Sequence, residues 1–171
     1  MTPRLRAIAG SIVFLFVAPG IVAGVVPWAI SGWRWGPALL GLEAGRWLGG
    51  ALLLLGAVIL IETFSRFAIE GLGTPAPIAP TRTLVVTGSY RFVRNPMYLA
   101  VVSLIFGHAL LLGSLGVLIY GVVVWVTVHL FVLGYEEPTL QRTYGERYDR
   151  YRANVRRWIP RLSPWGRNDP P

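Results

Sequence analysis

Apolar positions along this chain fall into long uninterrupted runs and do not alternate with polar ones. Residues 7–33 carry no charge, enough for one helix of about 20 residues across a bilayer. Pro19 and Pro27 predict a kink or an end within that helix. Arg4 and Arg6 precede it like the basic start of a secretory leader. The run is longer than a leader's apolar region and further runs follow, so it reads as a retained first span over 7–31. The second run, 47–61, reaches spanning length only by including Glu62–Phe67, which predicts a span over 47–68. The third, 97–135, holds 39 residues without a charge, too many for one crossing at about 1.5 Å per residue. Gly113-Ser114-Leu115-Gly116 lies near its middle and predicts a tight turn between two spans, 96–113 and 115–135. The expected fold is an all-α integral membrane protein. It has four transmembrane helices and a C-terminal cytoplasmic amphipathic helix, in a single domain over 1–171.

The polar segments between these runs are patterned too. Asn95-Pro96 is a helix-start signal, with Asn as N-cap and Pro at the first helical position. "GLGTPAPIAPTRTLVVTG", residues 71–88, has three prolines and predicts an extended loop. Its apolar Leu84-Val85-Val86 asks for a packing partner. After the fourth span, "EEPTLQRTYGERYDRYRANVRRWIP" covers 136–160. Leu140, Tyr144, Tyr148, Tyr151, Val155 and Trp158 recur there at steps of three or four, one face of a helix that Gly145 divides. Tyrosine hydroxyls need hydrogen-bond partners when covered, so this face is expected to meet something partly polar. Gly20/Gly24 and Gly41/Gly45/Gly49 carry the small-residue spacing that lets membrane helices approach closely.

Charge then orients the chain. All 16 basic residues are arginine, which excludes a lysine base or Schiff base. There is no cysteine, which excludes disulfides and thiolate chemistry, and no His/carboxylate spacing predicts a metal site. Fourteen arginines fall on the side holding both termini and the loop 62–96, against Arg34 and Arg46 on the other. That bias makes the first side cytoplasmic, with both termini inside. The net charge of +8 flanks apolar runs, as anionic headgroups require, and calls for no nucleic acid. Glu62 and Arg66 share a helix face at the end of the second span. Ionisable groups at such a place are functional candidates.

"GSYRFVRNPMY", a hairpin, and then "EEPTLQRTYGERYDRYRANVRRWIP" together resemble the C-terminal signature of isoprenylcysteine carboxyl methyltransferases. Membrane phospholipid methyltransferases share a similar pattern. The resemblance covers roughly 62–160 and implies S-adenosylmethionine-dependent methyl transfer to a lipidic or prenylated acceptor at the cytoplasmic face, in a bacterial inner membrane. It implies cofactor contacts from Tyr90, Arg94, Asn95, Pro96, Tyr98, Glu136, Glu137 and Tyr148. It also implies catalytic roles for Arg66, holding a carboxylate, and Glu62, serving as a base for an amine. The family's usual histidine is Asn95 here, so that position has no acid–base role. The alternatives are a phospholipid-type N-methyltransferase, an NADPH-dependent sterol-type reductase and a non-catalytic membrane scaffold.

Overall fold

The computed structural model describes residues 15–69 and 84–166, and every structural statement below concerns those. They are helical, and they contain no strand. Helix α1 is Phe16–Ser31, α2 Ala44–Ile69, α3 Pro96–Leu112, α4 Leu115–Phe131, α5 Glu137–Tyr144 and α6 Glu146–Asn154. Two compact units divide the chain. Of the described residues, one contains Leu15–Leu60 and Met97–His129; the other contains 61–69, 84–96 and 130–166.

In the first unit, α1 passes through both prolines instead of ending at either. Pro19 sits inside a π-helical stretch, Phe16–Val25. The wider turn tolerates a residue that lacks a backbone donor. Pro27 stands at the start of the α-helical part, where a missing N–H costs nothing. α2 and α3 approach closely through small residues. A Cβ on Gly49 would fall 2.7 Å from Leu111 N and 2.9 Å from Gly107 O, and one on Gly56 would fall 3.0 Å from Ala100 O. Of the small-residue positions noted above, Gly49 makes this contact, whereas Gly24 has nothing nearby.

The turn between α3 and α4 falls at Gly113-Ser114, with Gly113 at φ +70°. Arg46 secures this end of the unit. Its Nη1 donates to Leu111 O at 2.6 Å and its Nη2 to Gly36 O at 2.7 Å. Its Nε lies 2.7 Å from Glu43 Oε2, and its guanidinium covers the Trp35 ring at 4.6 Å. An arginine counted from the sequence only for its sign thus satisfies one of the last carbonyls of α3, which have no helical partner of their own.

Two helices are long and apolar enough to cross a membrane, Ala44–Arg66 and Leu115–Tyr144. The other two apolar helices have fewer described residues: Pro96–Leu112 falls short of the roughly 20 that a perpendicular crossing needs, and Phe16–Ser31 begins at the edge of the described region. The helix of the fourth span does not stop at Tyr135, where the uncharged run ends. It continues through a π-helical stretch, Val132–Glu136, directly into α5. A helix of 30 residues measures about 45 Å against a hydrocarbon core of about 30 Å. Its last turns, from Glu136 on, therefore extend past the apolar layer.

In the second unit, Gly145 breaks the amphipathic segment between α5 and α6 with φ +53°, ψ −129°. Tyr148, Tyr151 and Val155 form its buried core. Leu84, Val86, Leu140, Tyr144 and Trp165 pack around them. The apolar end of the 71–88 segment thus finds its partner in the tyrosine face; residues 71–83 lie outside the described region.

Candidate functional site

Three short segments of the second unit build the site: the 3-10 turn Gly88–Arg91 with residues 92–96, the start of α5, and α6 with the strap 155–166 that follows it. The strap is tied to residues 91–94 backbone to backbone. Arg94 N–H donates to Arg156 O at 2.9 Å, Arg161 N–H to Phe92 O at 2.9 Å, and Trp165 N–H to Arg91 O at 3.0 Å. Arg91 Nε donates to Trp165 O at 2.6 Å, and Asn95 Nδ2 to Arg157 O at 3.2 Å. Irregular backbone buried here needs partners for its polar groups, and the strap provides them.

This register brings charges from three places onto one carboxylate. Glu137 Oε1 accepts from Arg157 Nε at 2.6 Å and lies 3.1 Å from Arg94 Nη1, while its Oε2 accepts from Arg157 Nη2 at 2.8 Å. Arg157 therefore grips Glu137 with both prongs of its fork, the strongest geometry for this pair. Arg94 also donates through Nη1 to the Tyr148 hydroxyl at 3.0 Å. The side chains of Arg94 and Glu137 are 10% and 14% exposed, so the network is largely shielded from water. Burial pushes the Tyr148 hydroxyl up, with the Glu137 charge adding to it. Burial likewise pushes Tyr151 up, and its hydroxyl donates to Tyr90 O at 2.6 Å. Both tyrosines thus stay neutral, Tyr151 donating and Tyr148 accepting, and the tyrosine face has the polar partners that its residue type demands.

Burial works to raise the Glu137 carboxyl, but the Arg157 hydrogen bond and the Arg94 and Arg157 charges outweigh it and hold it below the usual carboxylate range. A carboxyl depressed on folding stabilises the chain above its unfolded value, and this contribution disappears as pH falls through the lowered folded value. The difference in melting temperature between the natural chain and Glu137→Gln is therefore expected to persist as an acid series passes the ordinary glutamate range. It should close only below that range. A difference that closes at the ordinary glutamate point of about pH 4.3 would contradict the network.

A cleft of about 520 Å³ opens beside this network, lined by Arg94, Glu137, Asp149, Arg152, Ala153 and Arg157. Two of these residues keep a buried polar atom without a hydrogen bond: Arg94 Nε, a donor, and Asp149 Oδ1, an acceptor. Asp149 Oδ1 lies 3.0 Å from Arg152 Nε, an ion pair outside hydrogen-bond geometry. Groups left in this state cost free energy, so they favour a ligand that supplies the missing partners. One donor and one acceptor on a single cleft match a zwitterion, and the volume falls in the range of small-molecule sites.

A second cluster gathers where α2 ends. Arg66 Nε pairs with Glu62 Oε1, and Ser89 Oγ donates to Glu62 Oε2 at 2.7 Å. Gly88 takes φ +53° directly beside them, and a Cβ there would overlap both side chains. Tyr90 is half-buried next to this cluster. Burial first, then the Glu136 and Glu62 charges, push its hydroxyl up.

Of the residues predicted from sequence, Arg94, Asn95, Glu137 and Tyr148 meet in the cleft network. Glu62 and Arg66 meet each other, and the Glu136 and Glu62 charges act on Tyr90. Pro96 is buried at the first turn of α3. Tyr98, half-buried two residues later, belongs to the other unit. Arg157, Ser89, Asp149 and Arg152 were not anticipated. Arg157 stands 20 residues from Glu137 and Ser89 stands 27 from Glu62, and no spacing rule links such pairs.

The family model described as phospholipid methyltransferase matches residues 44–147. That span includes Glu62, Arg66, Arg94, Asn95 and Glu137 and ends just before Tyr148. No curated protein and no solved structure matches the chain.

Proposed function

Because the chain belongs to the phospholipid methyltransferase family, we propose that it transfers a methyl group from S-adenosylmethionine to a headgroup amine of a membrane lipid. The single observation behind the cofactor assignment is that two buried polar atoms on the cleft make no hydrogen bond, Arg94 Nε and Asp149 Oδ1, the latter met only by the Arg152 charge. An amino acid carboxylate and ammonium answer that pair. When bound, S-adenosylmethionine supplies an electrophilic methyl on a sulfonium.

The protein's own groups then bind and orient. Arg94 takes the carboxylate, and Asp149 takes the ammonium or ribose hydroxyls. Glu137 neutralises Arg94 and Arg157 and keeps both aimed at the cleft. Asn95 ties the start of α3 to the strap and moves no proton. Methyl transfer to nitrogen is an in-line displacement, in which alignment does most of the work.

The amine assignment rests on the second cluster. Arg66, the cation that would hold a carboxylate, is paired with Glu62, while the Glu62 and Glu136 charges both bear on Tyr90. An acidic setting suits an ammonium headgroup, and one of these carboxylates takes the proton that the amine sheds before it attacks. In this reading the four apolar helices all span, and the two units form one catalytic domain. The 14-arginine side, with the site, is cytoplasmic.

Two measurements test the proposal. S-adenosylhomocysteine should raise the melting temperature of the purified chain and NADPH should not. Stabilisation by NADPH alone would return the sterol-type reductase reading, and no response to either would favour a scaffold. Labelled methyl should enter a lipid extract in a base-stable product. Base-labile label would mean an ester and would restore the isoprenylcysteine-type carboxyl reading.

A further inference from the structure

The strap does more in this structure than cover polar backbone. Its inward residues are Val155, buried in the tyrosine core, and Trp165, whose ring lies 5.7 Å from that of Tyr151. These contacts, with the backbone bonds to 91–94, hold the segment in one conformation. Between them, Ile159 is 62% exposed and Leu162 is fully exposed. A scattered surface leucine needs no explanation, but the surroundings of this pair are unusual. From Arg150 to Gly166 the sequence has five arginines and no acid. Arg150, Arg152 and Arg156 are exposed. The same unit contains the ends of both long apolar helices, Ile61 to Arg66 and Leu130 to Tyr144.

We propose that the strap 156–166 is a separate contact with the anionic face of the bilayer: Ile159 and Leu162 enter the interfacial layer, and the exposed arginines around them bind anionic headgroups. Apolar prongs within a basic surface are the composition that interfacial segments use. Each arginine near an anionic leaflet adds to the attraction. The strap also carries Arg157, which grips Glu137, and its backbone accepts from Arg94 and Asn95. Seating it in the interface therefore fixes the cleft wall at the depth of lipid headgroups.

The chain has no cysteine, so one engineered thiol reports without background. Leu162→Cys, labelled with an environment-sensitive fluorophore, is placed in nanodiscs of phosphatidylcholine with phosphatidylglycerol. The emission should shift to the blue and be quenched by a lipid-borne nitroxide, not by aqueous iodide. The lipid quenching should weaken in Arg150→Gln/Arg156→Gln and in nanodiscs of phosphatidylcholine alone. A label quenched by iodide and untouched by the nitroxide in both discs would overturn the proposal. So would equal nitroxide quenching with and without phosphatidylglycerol, because the arginines would then recognise nothing. A blue shift that grows with protein concentration in detergent and ignores the lipid quencher would assign the prongs to a second copy instead.

Discussion

Glu137→Gln is expected to lower affinity for S-adenosylhomocysteine at least about a hundredfold and to lower the melting temperature of the chain. The glutamine keeps the shape and one acceptor but removes the charge that two arginines share. Arg94, whose side chain is 10% exposed, is left as a shielded cation with only the Tyr148 hydroxyl for support. Removing one partner of such a pair costs on the order of 3 kcal/mol, more than the pair is worth against an apolar replacement. Because this variant also loses stability, Arg157→Lys provides a milder test. It keeps the charge but replaces a two-pronged grip by a point charge, so binding should weaken while the fold holds. Titration calorimetry on both variants decides the matter. Unchanged binding in the pair would remove Glu137 and its arginines from the cofactor site.

Gly88→Ala is expected to cut methyl transfer by about a hundredfold while leaving S-adenosylhomocysteine binding close to natural. At φ +53° an alanine costs roughly 1–2 kcal/mol of backbone strain. Its Cβ would also occupy the space of the Glu62 and Arg66 side-chain ends. Those ends are flexible and can move, but moving them breaks the Arg66–Glu62 pair and the Ser89 hydrogen bond. Displacing a reacting or positioning group by about 1 Å is enough for a hundredfold loss of rate. Steady-state rates and a separate binding titration give the split. Equal losses in both would mean that the Glu62 cluster supports the fold and not the acceptor.

Much of the helical framework could be read along the chain. The uncharged runs predicted α1 to α4, because a span must be apolar along its length whatever it packs against. Asn95-Pro96 and Gly113 marked a start and a turn through local backbone chemistry, which needs no tertiary contact. Gly145 marked the break between α5 and α6 for the same reason. The fourth span was expected over 115–135, and the helix that contains it runs on through α5. Charge at Glu136-Glu137 signals the end of the apolar layer and not of the helix, and the helix continues as long as its backbone bonds do.

The cofactor candidates Arg94, Asn95 and Glu137 were reached through motif resemblance, and the demand of Tyr148 and Tyr151 for polar partners through residue type. What those partners are was not legible. The side chain of Arg157 meets Glu137 only because the strap hydrogen-bonds to residues 91–94 in one register. Ser89 reaches Glu62 only because Gly88 turns the chain beside α2.

The sequence by itself therefore determined where the chain is apolar, where its helices start and turn, and which stretches carry the arginines. Each of these depends on neighbours within a few residues or on composition along one element. Tertiary structure alone decided which arginines share Glu137, which polar atoms remain without a hydrogen bond on the cleft, and that Ser89 reaches the Glu62–Arg66 pair. Those outcomes depend on contacts between residues 20 to 43 positions apart, set by the register of the strap and by the turn at Gly88.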